Sequence, residues 1–176
     1  MPPRQLAALC AVADSLARHG VRWVLAGSAG RALLGCPARP ADIDIEVDPD
    51  DAQAAETALE VVLARDGGDG RRSHRARAAR AGVEVDITSD LIVEGPGSRL
   101  AADFARQWDW SHPVAICGRA IRVAPPEESL CRAIVLGDWD ALARLAAQTA
   151  CADPPVPLRA TYVAERLASI TARAAR

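Results

Sequence analysis

Asp42 and Asp44 flank Ile43 in a short segment, residues 42–47 (DIDIEV), that alternates acid and aliphatic side chains. Such alternation marks a half-buried strand, because successive side chains leave a strand on opposite faces. Asp42 and Asp44 then point the same way, while Ile43, Ile45 and Val47 enter the core. The two carboxylates stand about 7 Å apart by strand rise and repel each other unless a cation sits between them. Aspartate is unfavourable in strands, so two on one short strand call for a reason. An oxygen-rich site of this kind suits Mg²⁺, which often completes its shell with phosphate. A solvated strand face is the competing reading.

Two other features bear on the same chemistry. Gly27-Ser28 follows an apolar segment and precedes a short helical one. Glycine lets a backbone approach a ligand, and a helix start offers free N–H groups to an anion. Ser28 is also suited to a plain N-cap. Farther along, Val83–Thr88 (VEVDIT) alternates again and sets Glu84, Asp86 and Thr88 on one face. If this strand lies beside Asp42 and Asp44, Asp86 adds a third carboxylate, with Glu84 as its rival. Three carboxylates suffice for two Mg²⁺ ions, one on a triphosphate and one activating a hydroxyl. Arg39, in the loop before Asp42, is a candidate phosphate contact.

The elements that must position these residues alternate between helix and strand. Leu6, Leu9, Ala13 and Leu16 recur at helical spacing across 4–19, closed by Gly20. Residues 21–26 read as a strand, 29–34 as a short helix, and 36–41, with Pro37 and Pro40, as a loop. A helix is expected over 51–65, followed by a turn at Asp66-Gly67-Gly68-Asp69-Gly70. Residues 72–80 and 83–88 read as a hairpin about Ala81-Gly82, although an Ala/Arg run also suits a helix. If 72–80 is a strand, Arg75 and Arg77 share a face. Further expectations are a helix over 99–107 and a hairpin of 113–117 with 120–124 about Gly118. Helices are expected from Pro125-Pro126 to about 136, over 139–149 behind Asp138, and over 158–173. The order is mixed α and β, with helices collected at the end. The division expected is a core over 1–125 and a helical segment over 126–176 packed on it.

The 176 residues fit a domain of ordinary size, and 50% hydrophobic with 25% charged residues is the balance of a globular chain. The formal net charge of −2 argues against a general nucleic-acid coat protein, which would be strongly basic. All 21 basic residues are arginine, which we read with the alanine richness as codon bias. Five cysteines, an odd count without C-x-x-C spacing, suggest neither a disulfide framework nor a zinc site. His19, His74 and His112 show no ligand spacing. No run reaches the roughly 18 apolar residues of a membrane helix. Asp14 and Arg18 interrupt the N-terminal stretch where a signal peptide would be apolar, so a cytoplasmic protein is expected.

The ordered set of Gly27-Ser28, a 13-residue spacer, Asp42-Ile43-Asp44 and a later Val85-Asp86-Ile87 resembles the DNA polymerase β-type nucleotidyltransferase superfamily. Within it the chain is similar to small members such as the aminoglycoside and lincosamide nucleotidyltransferases. The resemblance implies an α+β nucleotidyltransferase fold, a mixed sheet with flanking helices. It implies that Gly27 and Ser28 cradle the triphosphate, that Asp42 and Asp44 hold metal, and that Asp86 binds metal or serves as general base. It further implies an NTP co-substrate, two Mg²⁺ ions, and transfer of a nucleoside monophosphate to an acceptor hydroxyl. A small antibiotic-like acceptor is the first expectation, because the chain is short and not basic. The alternatives are a toxin-type enzyme acting on protein or tRNA and a nucleotide-binding module without turnover. The 3% aromatic content departs from drug-modifying members, which are rich in aromatic and acidic residues.

Overall fold

The computed structural model describes residues 1–116 and 118–172. Helix α1 (Pro3–Arg18) buries Ala8, Leu9, Val12, Ala13 and Leu16 along one stripe, with proline in its first turn. Strand β1 (Trp23–Leu25) leads into α2 (Gly27–Leu33). Strand β2 (Ile43–Val47) follows a loop and runs into a 3₁₀ turn, then α3 (Ala52–Leu59). Strands β3 (Ala64–Gly68), β4 (Arg71–Arg80), β5 (Val83–Glu94) and β6 (Ser98–Ala101) come next. Helix α4 (Phe104–Trp110) precedes the hairpin β7 (His112–Ile116) and β8 (Arg119–Val123). Helices α5 (Pro126–Leu136), α6 (Trp139–Ala150) and α7 (Ala160–Ala168) follow, and Thr171–Ala172 forms β9.

The strands form one mixed sheet in the order β3-β4-β5-β2-β1-β8-β7, with β6 joining β5 to β9. β2 lies antiparallel to β1 and parallel to β5. Alternation sorts the two faces of the centre. Ile43, Ile45, Val85 and Ile87 pack with Leu9, Val12, Leu16, Ala55 and Leu59 of α1 and α3 in the main core. The opposite face carries Asp44, Glu46, Asp86 and Thr88 and looks toward α5 and α6. Val93, Leu100, Cys131 and Val135 form a second core, where α5 meets the far end of the sheet.

Several expected elements come out differently. The helix expected over 51–65 ends at Leu59, because Glu60 turns left-handed at φ 55°. The segment 64–68 then pairs with β4, so the turn expected at 66–70 shrinks to Asp69-Gly70, at φ 50° and 72°. Positive φ at both residues matches the right-handed strand twist of a two-residue hairpin. Ala81-Gly82, at φ 49° and 68°, makes the second such turn where it was expected. The helix expected over 99–107 begins only at Phe104, because β5 runs on to Glu94 and recruits residues 98–101 as a strand. Asp103 then caps it by accepting from the Arg106 amide. The helix expected over 158–173 stops at Ala168, and β9 adds to β6 instead. Residue 173 and residue 117 of the expected 113–117 strand lie outside the described residues. Cys10 is disulfide-bonded, which the cysteine pattern did not suggest. No described helix is long and apolar enough to cross a membrane.

Candidate active site

Asp44 and Asp86 stand directly opposite each other in the parallel register of β2 and β5. Both line a cleft of about 610 Å³ between the acid face of the sheet and helices α2, α5 and α6. Asp42 sits in the bend just before β2 and does not line the cleft. Its charge nevertheless reaches Asp44, whose carboxyl is pushed up to about 6. Burial is the main cause, and the negative charges of Asp42, Asp86 and Glu46 add to it, while Arg31 pulls the other way. Among the described residues no side chain hydrogen-bonds or ion-pairs with the Asp44 carboxylate.

Gly27 is fitted to Asp44. Its φ of +59° belongs to the left-handed region, and a Cβ there would overlap the Asp44 carboxylate. The Ala26 amide also donates to the Asp44 backbone carbonyl at 2.8 Å, so the start of α2 is tied to β2. Ser28 does not cap this helix: Ala26 is the cap residue, without a side-chain bond. Neither Ser28 nor Arg39 lines the cleft. Glu84, the rival third acid, is exposed and pairs with Arg77 at 3.6 Å.

Asp86 is held by Arg75 from β4. The guanidinium grips both carboxylate oxygens, Nε donating to Oδ1 at 2.7 Å and Nη2 to Oδ2. Its remaining nitrogen, Nη1, reaches Asp66 on β3 at 3.3 Å. The Arg/Ala run is therefore a strand, and Arg75 on it faces the site. Among the described residues no three His, Cys, Asp or Glu side chains are posed as a metal cluster.

Other residues of the cleft were not singled out by their spacing. Glu46 continues the Asp42–Asp44 alternation, so the signal for it was present. It is buried and paired with Arg132 of α5, Nη1 and Nη2 donating to its two oxygens at 2.5 and 2.8 Å. Arg132 also donates to Glu128 at 3.2 Å. Glu128 in turn accepts from Arg166 twice at 2.7 Å and from the Tyr162 hydroxyl at 2.8 Å. Burial pushes the Glu128 carboxyl up, but Arg132 and Arg166 outweigh it and hold the group below the usual carboxylate range. This chain of charges ties α5 and α7 to the strand that carries Asp44.

Arg31 and Arg144 complete the lining. Arg31 Nε donates to Gln148 of α6 at 3.2 Å. Gln148 stands four residues after Arg144, on the same helix face. Burial lowers the Arg31 pKa, and the nearby Arg144 lowers it further. Two guanidiniums thus meet in the cleft beside Asp44, neither paired with a carboxylate among the described residues.

Residues 8–126 match the family model described as aminoglycoside-2''-adenylyltransferase. A crystal structure of a candidate nucleotidyltransferase from Thermotoga maritima superposes with a TM-score of 0.67 at 25% identity. The match covers 84% of this chain and 93% of that one. The solution structure of the antibiotic-resistance factor ANT(2'')-Ia matches with a TM-score of 0.54 at 15% identity, covering 96% and 91%. The latter speaks for the fold alone. Among curated proteins none matches.

Proposed function

The chain belongs to the aminoglycoside-2''-adenylyltransferase family, and from that premise we propose that this nucleotidyltransferase moves a nucleoside monophosphate from an NTP to a hydroxyl of a small antibiotic-like molecule. The observation that carries the reading is the registration of Asp44 beside Asp86, with Gly27 packed on Asp44. Asp44, buried and surrounded by the negative charges of Asp42, Asp86 and Glu46, fits the binding of a divalent cation. Asp44 and Asp86, which face the cleft, would hold Mg²⁺, with Asp42 adding negative charge from the bend before β2; the ion when bound would supply charge neutralisation on the phosphates.

The chain's own residues divide the remaining work. Gly27, lacking a Cβ, lets the Asp44 carboxylate seat against the start of α2 at the floor of the cleft. Arg31 and Arg144 bring positive charge to the same place and stabilise the developing charge on the leaving pyrophosphate. Asp86, on the neighbouring strand, orients the acceptor hydroxyl and takes its proton once Arg75 lets go. Arg132 keeps Glu46 paired and so holds a fourth carboxylate away from the phosphates.

The test is pyrophosphate release from each NTP with Mg²⁺ across a panel of aminoglycosides and lincosamides. Release with at least one acceptor, abolished by Asp44→Asn in a protein that still folds, is the expected result. Undiminished release by that variant would remove the basis for the reading.

A further inference from the structure

The acid that the proposed transfer uses to handle the acceptor is closed off by this chain's own arginine. Arg75 occupies both oxygens of Asp86. The pairing takes one acceptor site on each oxygen and sets a positive charge against Asp86, which opposes the approach of a second cation. Arg75 also has a second seat. Asp66, on the outer strand β3, already accepts from its third nitrogen at 3.3 Å and is about half exposed. Asp86 by contrast is 9% exposed and Arg75 33%. The guanidinium therefore spans one buried and one open carboxylate across the β3-β4-β5 strip.

We propose that Arg75 is a positioning residue that decides when Asp86 is available to the cleft, by passing between Asp86 and Asp66. The inference rests on the assignment of Asp86 to the reaction. The contacts set out the physical exchange. A divalent cation entering beside Asp44 repels the guanidinium and competes for Asp86. Asp66 receives the displaced cation without leaving it unpaired. The exchange needs only a side-chain rotation, because one nitrogen touches Asp66 from the start. Without Asp66, leaving Asp86 would expose Arg75 to the cost of an unpaired charge in a cleft that also holds Arg71, Arg31 and Arg144.

Mn²⁺ binding to the nucleotide-free protein, read by electron paramagnetic resonance, tests this without any turnover. Arg75→Met frees Asp86 and is expected to tighten Mn²⁺ by about tenfold, the worth of a charged hydrogen-bonded pair. Arg71→Met removes the same charge from the same cleft without touching Asp86, and its effect is expected to be several-fold smaller. Asp66→Asn removes the second seat and is expected to weaken Mn²⁺ by about threefold. Asp69→Asn, the matched loss of a cleft carboxylate, is expected to weaken it less. In the Arg75→Met background, Asp86→Asn is expected to erase the gain.

Equal effects of Arg71→Met and Arg75→Met, or of Asp66→Asn and Asp69→Asn, overturn the inference, since general electrostatics then explains both. If those equalities hold while the wild type releases pyrophosphate, the transfer reaction stands and the arginine exchange does not. If Arg75→Met tightens Mn²⁺ selectively but no acceptor yields pyrophosphate, the exchange stands and the transfer reaction does not.

Discussion

The Asp44 carboxylate lies where a Cβ on Gly27 would be, so the first residue of α2 and the centre of β2 share one space. Glycine meets two demands at once, a left-handed φ of +59° and the missing side chain. Gly27→Ala is expected to cost ~1–2 kcal/mol through backbone strain alone and to push Asp44 from its place. Pyrophosphate release should then fall at least about a hundredfold, in line with the cost of small displacements at a reacting centre. Ser28→Ala, one residue on and outside the cleft, should fall far less. A thermal melt and the release assay on both variants make the comparison.

Asp44 exchanges stability for charge. Its carboxyl is raised to about 6 from an ordinary 3.8. A raised folded-state pKa means that the stability tied to the protonated group is fully present below about pH 4. It is lost as pH rises through about 6. Asp44→Asn should therefore be more stable than the wild type at pH 7.5, by at most about 3 kcal/mol. The two should converge below pH 4. Urea denaturation at a series of pH values reads this directly. A wild type as stable as Asp44→Asn at pH 7.5 would show that the charge is already compensated in the apo protein.

Glu128 shows the opposite sign. Its pKa is held low by Arg132 and Arg166, so its contribution is present at neutral pH and lost as pH falls below the usual carboxylate range. Glu128→Gln leaves Arg166, 1% exposed, with an uncompensated charge. The expected cost is about 3–5 kcal/mol. Replacing Glu128 and Arg166 together by apolar residues should cost clearly less than the sum of the two single changes. Urea midpoints for the singles and the double form the cycle, and strict additivity would disprove the coupling.

Arg31 and Arg144 serve the phosphates in the proposed reaction, and neither holds the fold together by an ion pair among the described residues. Arg31→Met and Arg144→Met should each weaken NTP binding and inhibition by pyrophosphate by roughly tenfold, the worth of one charged contact. Melting temperatures should stay within a few degrees. Calorimetric titration with pyrophosphate measures the effect, and unchanged affinity in both variants would take these arginines out of the site.

Much of this architecture is local and therefore legible along the chain. The DIDIEV alternation announces β2 and the face of its acids. Ala81-Gly82 announces a hairpin, and Asp138 caps α6 by accepting from the Ala141 amide at 2.9 Å. Gly27-Ser28 marks the break between β1 and α2, although only the glycine of the pair lines the cleft. The misreadings share a cause. Residues 64–68, 98–101 and 171–172 carry no strand pattern of their own, and they are strands because β4, β5 and β6 offer them unpaired edges.

The amino-acid order by itself determined which side chains share a strand face and where the tight turns fall. Those properties depend on neighbours one to four residues apart. Only the tertiary structure decided that Asp44 faces Asp86, that Arg75 grips Asp86, that Arg132 neutralises Glu46, and that Arg31 meets α6. Those partners are 42, 11, 86 and 117 residues apart. Parallel pairing and long-range ion pairs obey no sequence period, because their register is set by how the whole core packs.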